Sequence, residues 1–296
     1  MEKTMLKINE LINKVHNKDC LEFLNLVPNN SIDLIVTSPP YNVRKQYGNQ
    51  LDKNRPDTDD QRPWDDYYIW MGKIIRECYR VLQIGGTIAI NVPGVIRFQR
   101  DHLYADSWHD YDPNYKTHHE GKKILGKGRI EPLGWKLWQI MFAVDEHMRE
   151  PIIWVKGNEG TAISGNYQMG CDSDPYFRAT HEMILFGSKG QWFHRGGTGR
   201  RGAEAVPYLD YCKDVWFVPP VSNKYHPATF PQEIPERLIK LFVHAKDSII
   251  LDPFMGIGST AMAAKRLGFD WMGCELNGEF CKIANDNVSQ DVLIVE

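Results

Sequence analysis

The chain has 296 residues, a formal net charge of −3, 42% apolar residues and 25% charged residues. That length suits one large domain, and the acidic balance argues against a basic nucleic-acid coat protein. No apolar run reaches membrane-spanning length, no signal-peptide core follows Met1, and six cysteines without a Cys-x-x-Cys pair fit reduced thiols in a cytoplasmic protein, with no membrane partner, zinc ribbon or disulfide framework.

Along the chain, strands and helices alternate. Ile32-Asp-Leu-Ile-Val36 reads as a short buried strand. Residues 65–83 read as a helix, because Tyr67, Trp70, Met71, Ile74, Ile75, Cys78 and Leu82 recur at helical spacing, and Gly85-Gly86 is expected to stop it. A strand over Thr87–Val92 follows, then a polar stretch over 94–130. Trp135, Trp138, Met141 and Phe142 mark a further helix, and Ile152–Val155 and His181–Phe186 read as strands. A second irregular stretch, 188–224, is rich in Gly, Arg and aromatic residues. Glu233–His244 and Ser259–Leu267 read as helices, and Ser248–Leu251 and Asp270–Cys274 as strands. Strands separated by helices predict an α/β domain around a mostly parallel sheet with helices on both faces, spanning 1–296 as one unit. The stretches 94–130 and 188–224 are too long for ordinary connections and are candidate recognition inserts.

Two short motifs carry chemistry. Ile249-Ile-Leu-Asp-Pro-Phe-Met-Gly-Ile-Gly-Ser-Thr260 is a strand, a glycine turn and a helix start. Gly256, Gly258 and Ala261 match G-x-G-x-x-A, a turn that brings backbone N–H groups close to a ligand. Glu275 ends the next strand, where a carboxylate can accept from ribose hydroxyls. Asp252 at the mouth of the turn would repel a pyrophosphate and suits a cationic ligand, which disfavours a dinucleotide dehydrogenase.

The second motif, Thr37-Ser-Pro-Pro-Tyr-Asn42, follows the strand over 32–36, where open α/β sheets place their sites. Its side chains fit methylation of an exocyclic base amine, whose lone pair is delocalised into the ring. The Ser38 hydroxyl and the Pro39 carbonyl are candidate acceptors for the two amine hydrogens. Tyr41 is a candidate stacking platform, and Pro39-Pro40 stiffens the strand end. No cysteine stands beside this motif, so a cysteine nucleophile attacking a base carbon is not expected.

Together the two motifs resemble the N4-cytosine/N6-adenine DNA methyltransferase family, in its permuted β group, where the catalytic motif precedes the cofactor motif. The resemblance covers about Asp19 to Asn287 apart from the two inserts. It implies a Rossmann-like fold with a seven-stranded mixed sheet, S-adenosylmethionine as cofactor, and base flipping in double-stranded DNA. It assigns catalysis to Ser38, Pro39, Pro40 and Tyr41, and cofactor binding to Asp252, Pro253, Phe254, Gly256, Gly258, Thr260 and Glu275. It adds Asp19, from Asn17-Lys-Asp-Cys-Leu21, although Lys18 stands where the family usually has glycine. It also adds Phe230 and Gln232, from His226-Pro-Ala-Thr-Phe-Pro-Gln232. The segments Ile152–Lys156 and His181–Phe186 are similar to the family's target-base strands.

Serine at position 38 favours N4 of cytosine, and N6 of adenine is the alternative. RNA or protein amide methylation and a silent DNA-binding module are further readings. Arg195, Arg200, Arg201, Lys122 and Lys123 are the candidate phosphate contacts. A homodimer and a cognate restriction endonuclease are compatible partners. His109, His118 and His119 lie near several aspartates but match no metal-ligand spacing, and no metal is expected.

Overall fold

The computed structural model describes residues 8–43, 62–97, 130–157, 179–197, 209–221 and 230–290. At its centre runs β2 (Ile32–Thr37), every residue of which is buried. Its side chains alternate in allegiance: Ile35 joins the core on one side of the sheet, Leu34 and Val36 the core on the other. A strand that must satisfy two apolar cores reads as a continuous hydrophobic run, which is why this segment was legible.

In chain order the elements are α1 (Ile8–Leu11), β1 (Lys14–His16), α2 (Cys20–Leu24), β2, α3 (Trp64–Val81), β3 (Leu82–Val92), β4 (Ile96–Arg97), β5 (Ile130–Glu131), α4 (Leu133–Val144), β6 (Ile152–Val155), β7 (His181–Ser188), β8 (Val215–Phe217), α5 (Glu233–Phe242), β9 (Ile249–Asp252), α6 (Ser259–Arg266), β10 (Asp270–Cys274) and α7 (Gly278–Gln290). Eight strands form the main sheet in the order β1-β10-β9-β2-β3-β7-β6-β8, and β4 and β5 form a separate pair. All neighbours in the main sheet are parallel except that β7 runs against β3 and β6. Helices α2, α3 and α4 pack on one face through Phe23, Ile74, Ile75 and Leu137. Helices α5, α6 and α7 pack on the other through Ile234, Leu238, Ala264 and Ala284. Among the described residues no helix is long and apolar enough to cross a membrane.

Three details differ from the sequence reading. Helix α3 ends at Val81, before the glycines, and Leu82 is already extended. Gly85 and Gly86 instead shape a bulge within β3, where the register against β2 jumps between Ile32 and Leu34. Gly85 has φ +81, and a Cβ there would stand 1.9 Å from the Phe193 carbonyl oxygen, so neither conformation nor space admits a side chain. Among the described residues the main sheet has eight strands, against the seven expected. One of them, β8, lies inside the stretch 188–224 and pairs with β6, so that stretch is partly framework.

Arg195 is the third. Its guanidinium grips the carboxylates of Asp33 (3.0 Å) and Asp247 (2.6 Å), and Asp33 also accepts from the Ile249 N–H at 2.9 Å. These groups lie where β2 and β9 begin, at the end of the sheet opposite Thr37 and Asp252. Arg195 is therefore corrected from phosphate contact to a staple between strand starts, its charge already matched by two carboxylates. Arg200, Arg201, Lys122, Lys123 and the three histidines lie outside the described residues.

Candidate active site

At the carboxyl ends of β2 and β9 the two motifs meet. Thr37 Oγ1 donates to Asp252 Oδ1 at 2.7 Å, across 215 positions of sequence. Thr260 Oγ1 donates to Asp252 Oδ2 at 2.7 Å, and the Phe254 N–H to Oδ1 at 2.9 Å. Asp252 is only 1% exposed. It is thus a buried brace beneath the turn, which corrects the expectation of an open acidic lip. Burial pushes its carboxyl up to about 6, against the pull of the Thr37, Thr260 and Phe254 hydrogen bonds.

The turn is tight. Gly256 and Gly258 have φ +55 and +96, and Gly258 starts α6 with its Cα hydrogens against Ala284, where a Cβ would come within 3.3 Å. Glu275 supports the turn from β10's end: its Oε2 accepts from the Gly256 N–H at 2.9 Å and its Oε1 from the Asn277 N–H at 2.8 Å. Burial pushes Glu275 up to about 7, with backbone hydrogen bonds from Asn277, Gly256 and Leu276 opposing and the Asp252 charge adding to the rise. Asp19, following β1, caps α2 by accepting from the Leu21 N–H at 2.8 Å. Pro253 is buried, and its carbonyl accepts from the Cys274 thiol at 3.2 Å. Burial raises that thiol well above its ordinary value, so it is no activated nucleophile. Phe254 meets Trp70 edge to face, with ring centroids 5.8 Å apart.

Asp252, Glu275 and Asp19 therefore gather at the ends of neighbouring strands. Among the described residues no cation is paired with any of them. The negative charge gathered there, with no cation against it among the described residues, fits a cationic ligand, as S-adenosylmethionine is. Phe230 and Gln232 make their polar contacts with α6: the Phe230 carbonyl accepts from Ser259 at 3.1 Å, and the Gln232 amide meets Met262 (2.8 Å) and Arg266 (2.8 Å). The first part of their segment, 226–229, lies outside the described residues.

One residue beyond Thr37, the Ser38 hydroxyl stands 2.9 Å from the Tyr41 hydroxyl. Tyr41 donates to Glu182 Oε2 at 3.0 Å. Asn91, at the end of β3, donates from one amide nitrogen to Tyr41 (3.1 Å) and Glu182 (2.6 Å). Lys156, just past β6, pairs with the other Glu182 oxygen. The Tyr67 hydroxyl donates to the Pro40 carbonyl at 2.8 Å, whereas no described residue bonds the Pro39 carbonyl. The structure thus brings Ser38, Pro39 and Tyr41 to the strand ends that lead into the glycine turn and surrounds them with Lys156 and Glu182, which lie in the two segments similar to target-base strands without having been named individually, and with Asn91, which the sequence reading did not single out. Glu182 and Asn91 were discoverable as polar residues inside otherwise apolar strands, both buried here.

The family model for N6/N4 methyltransferases, described as DNA methylase, matches residues 32–286. Type II methyltransferase M.BglII of Bacillus subtilis is 27% identical over 295 aligned positions, covering 92% of this chain and 68% of that protein. Type II methyltransferase M1.MboII of Moraxella bovis is 24% identical, covering 94% of this chain and 97% of its own. The fold matches that of a putative DNA modification methylase from Thermus thermophilus, TTHA0409, solved with S-adenosyl-L-methionine. The TM-score is 0.65 at 23% identity, covering 95% of each chain. It also matches the PvuII DNA methyltransferase (cytosine-N4-specific), with a TM-score of 0.59 at 15% identity, over 94% of this chain and 92% of that one.

Proposed function

This chain belongs to the N6/N4 DNA methylase family, and from that premise we propose that it methylates N4 of a cytosine flipped out of double-stranded DNA, with S-adenosylmethionine as donor. The observation that carries the reading is the Thr37–Asp252 hydrogen bond, 2.7 Å long, which ties the residue before Ser38 to the strand end that leads into the glycine turn. Asp252, Glu275, Asp19 and the Gly256–Gly258 turn would hold the cofactor. When bound, it supplies a methyl group on a positive sulfonium, so transfer is a direct displacement without a covalent enzyme intermediate.

The chain's own residues prepare the amine. Ser38 and the Pro39 carbonyl accept its two hydrogens and draw its lone pair out of the ring, while the Tyr41 ring, fixed by its hydroxyl, stacks against the base. Serine at position 38 supports cytosine over adenine. The inserts at 94–130 and 188–224 carry the DNA contacts in this reading. A restriction endonuclease of matching specificity is the expected companion.

The test is transfer of labelled methyl from S-adenosylmethionine to unmethylated genomic DNA, with the product base identified by mass spectrometry. N4-methylcytosine is the expected product. N6-methyladenine would overturn the base assignment and keep the family reaction. An unlabelled DNA pool despite cofactor binding would overturn the activity itself.

A pH dependence follows from the two raised carboxyls. In the folded protein Asp252 titrates at about 6 and Glu275 at about 7, both above their unfolded values. Their burial therefore favours the fold most at acid pH, and that advantage is lost as pH rises through 6 to 7. A cationic ligand reverses the balance by favouring the ionised forms. Binding of S-adenosylmethionine is expected to release protons between about pH 5.5 and 7.5, with affinity rising across that window. Calorimetry in buffers of different ionisation enthalpy measures this directly, and a buffer-independent heat would contradict it.

A further inference from the structure

The Glu182 carboxylate, paired with Lys156, can only accept, so the Tyr41 O–H proton goes to it. The same logic orients Asn91: its nitrogen must face Glu182 and Tyr41, and its Oδ1 is left as a buried acceptor with no partner among the described residues. Having given its only proton to Glu182, the phenol oxygen offers lone pairs alone. One takes the Asn91 N–H, and the other takes the Ser38 hydroxyl proton at 2.9 Å. Ser38 is thereby committed as a donor inward, and its lone pairs are what remain for a substrate amine.

We propose that Glu182 is a positioning residue for methyl transfer: through Tyr41 it sets Ser38 as an acceptor, and it takes up the proton that the methylated amine sheds. This rests on the reaction put forward above. As the amine nitrogen bonds the methyl carbon, the carbon–sulfur bond breaks and its electron pair stays on sulfur. The nitrogen then passes one proton to Ser38, Ser38 passes its own to Tyr41, and Tyr41 passes its own to Glu182, from which it leaves to solvent. Each oxygen ends the relay with the protons it began with, except Glu182, which resets on exchange. Among the described residues the titratable groups that meet Glu182 are Lys156, past β6, and Tyr41, after β2. His181 is its chain neighbour on β7.

The experiment is Glu182→Gln, which keeps the shape but cannot accept a proton. Single-turnover transfer is expected to fall about 100-fold. S-adenosylmethionine affinity is expected to stay within about 2-fold, since the residue lies outside the cofactor cradle. The readout that a structural role would not move is the pH profile. With S-adenosylmethionine saturating at every pH, wild type shows an acid limb that the variant lacks, the variant being slow and flat. Glu182→Asp restores the acid limb with part of the rate. A second readout needs no turnover: the Tyr41 Cζ resonance, assigned by its loss in Tyr41→Phe, shifts in Glu182→Gln. A slow variant that keeps the acid limb, a variant as fast as wild type, or an unmoved Tyr41 resonance each overturns the proposal. If wild type binds cofactor yet methylates no DNA, the reaction falls and this proposal with it. If wild type methylates normally and the variant profile is unchanged, this proposal alone falls.

Discussion

Ser38→Ala is expected to slow methyl transfer to DNA about 100-fold, equivalent to about 2.7 kcal/mol of transition-state stabilisation, with S-adenosylmethionine affinity unchanged. The hydroxyl directs its proton inward to Tyr41, so its lone pairs are left for the substrate amine. Removing it leaves the Pro39 carbonyl as a lone acceptor, so one amine hydrogen loses its partner and the nitrogen lone pair stays conjugated with the ring. The fold loses little. Ser38 is partly exposed, and its neighbour Tyr41 keeps the bonds to Asn91 and Glu182. Single-turnover kinetics and calorimetry on the same preparation separate the two quantities. Full activity, or a parallel loss of cofactor affinity, would remove Ser38 from the chemistry.

Asp252→Ala is expected to act on both fold and ligand. The carboxylate serves three donors in a buried setting, two hydroxyls and the Phe254 N–H. Leaving them unpartnered costs about 3 kcal/mol or more, which corresponds to a melting temperature lower by about 6 °C or more. Cofactor binding is expected to weaken at least about 100-fold, because the turn loses its brace and the cradle loses a negative charge. Asp252→Asn separates the two causes. Its amide oxygen still accepts, and a threonine hydroxyl can rotate to accept from its nitrogen, so most stability returns. The charge does not return, and affinity should remain well below wild type. Thermal melts and cofactor titration of the pair report the difference. An Asn variant with wild-type affinity would mean that geometry, and not charge, is what the residue supplies.

Both variants act at a junction that was only half legible in the sequence. Long apolar runs announced β2, β6, β9 and β10, since a strand buried on two faces has few polar positions. The strands β1 (Lys14–His16) and β8 (Val215–Phe217) were invisible for the opposite reason. Three residues carry no periodicity, and each strand exists because a partner is already in place, β10 for one and β6 for the other. The same division holds at the site. Ser38, Tyr41, Asp252 and Glu275 lie in short motifs whose local chemistry can be read. Glu182 cannot be found that way, because its meaning depends on Tyr41, 141 positions away. Asp252 was located but misjudged, since burial by Thr37 and Thr260 is a tertiary fact. Arg195 was misjudged likewise: a glycine-rich setting suggested an exposed loop, yet two distant carboxylates claim its charge.

One further bond pair sets what can be done with the molecule. Asn42, in the left-handed region at φ +61, donates to the Arg62 carbonyl at 2.8 Å and accepts from the Arg62 N–H at 2.7 Å. The chain leaving the catalytic motif is thus clasped to the chain entering α3. The exit of the motif and the entry of the helix are therefore held as one unit, and Asn42 is a residue type that tolerates the left-handed backbone the clasp needs. A change such as Asn42→Leu would remove both bonds at once and loosen the catalytic loop and the start of α3 together.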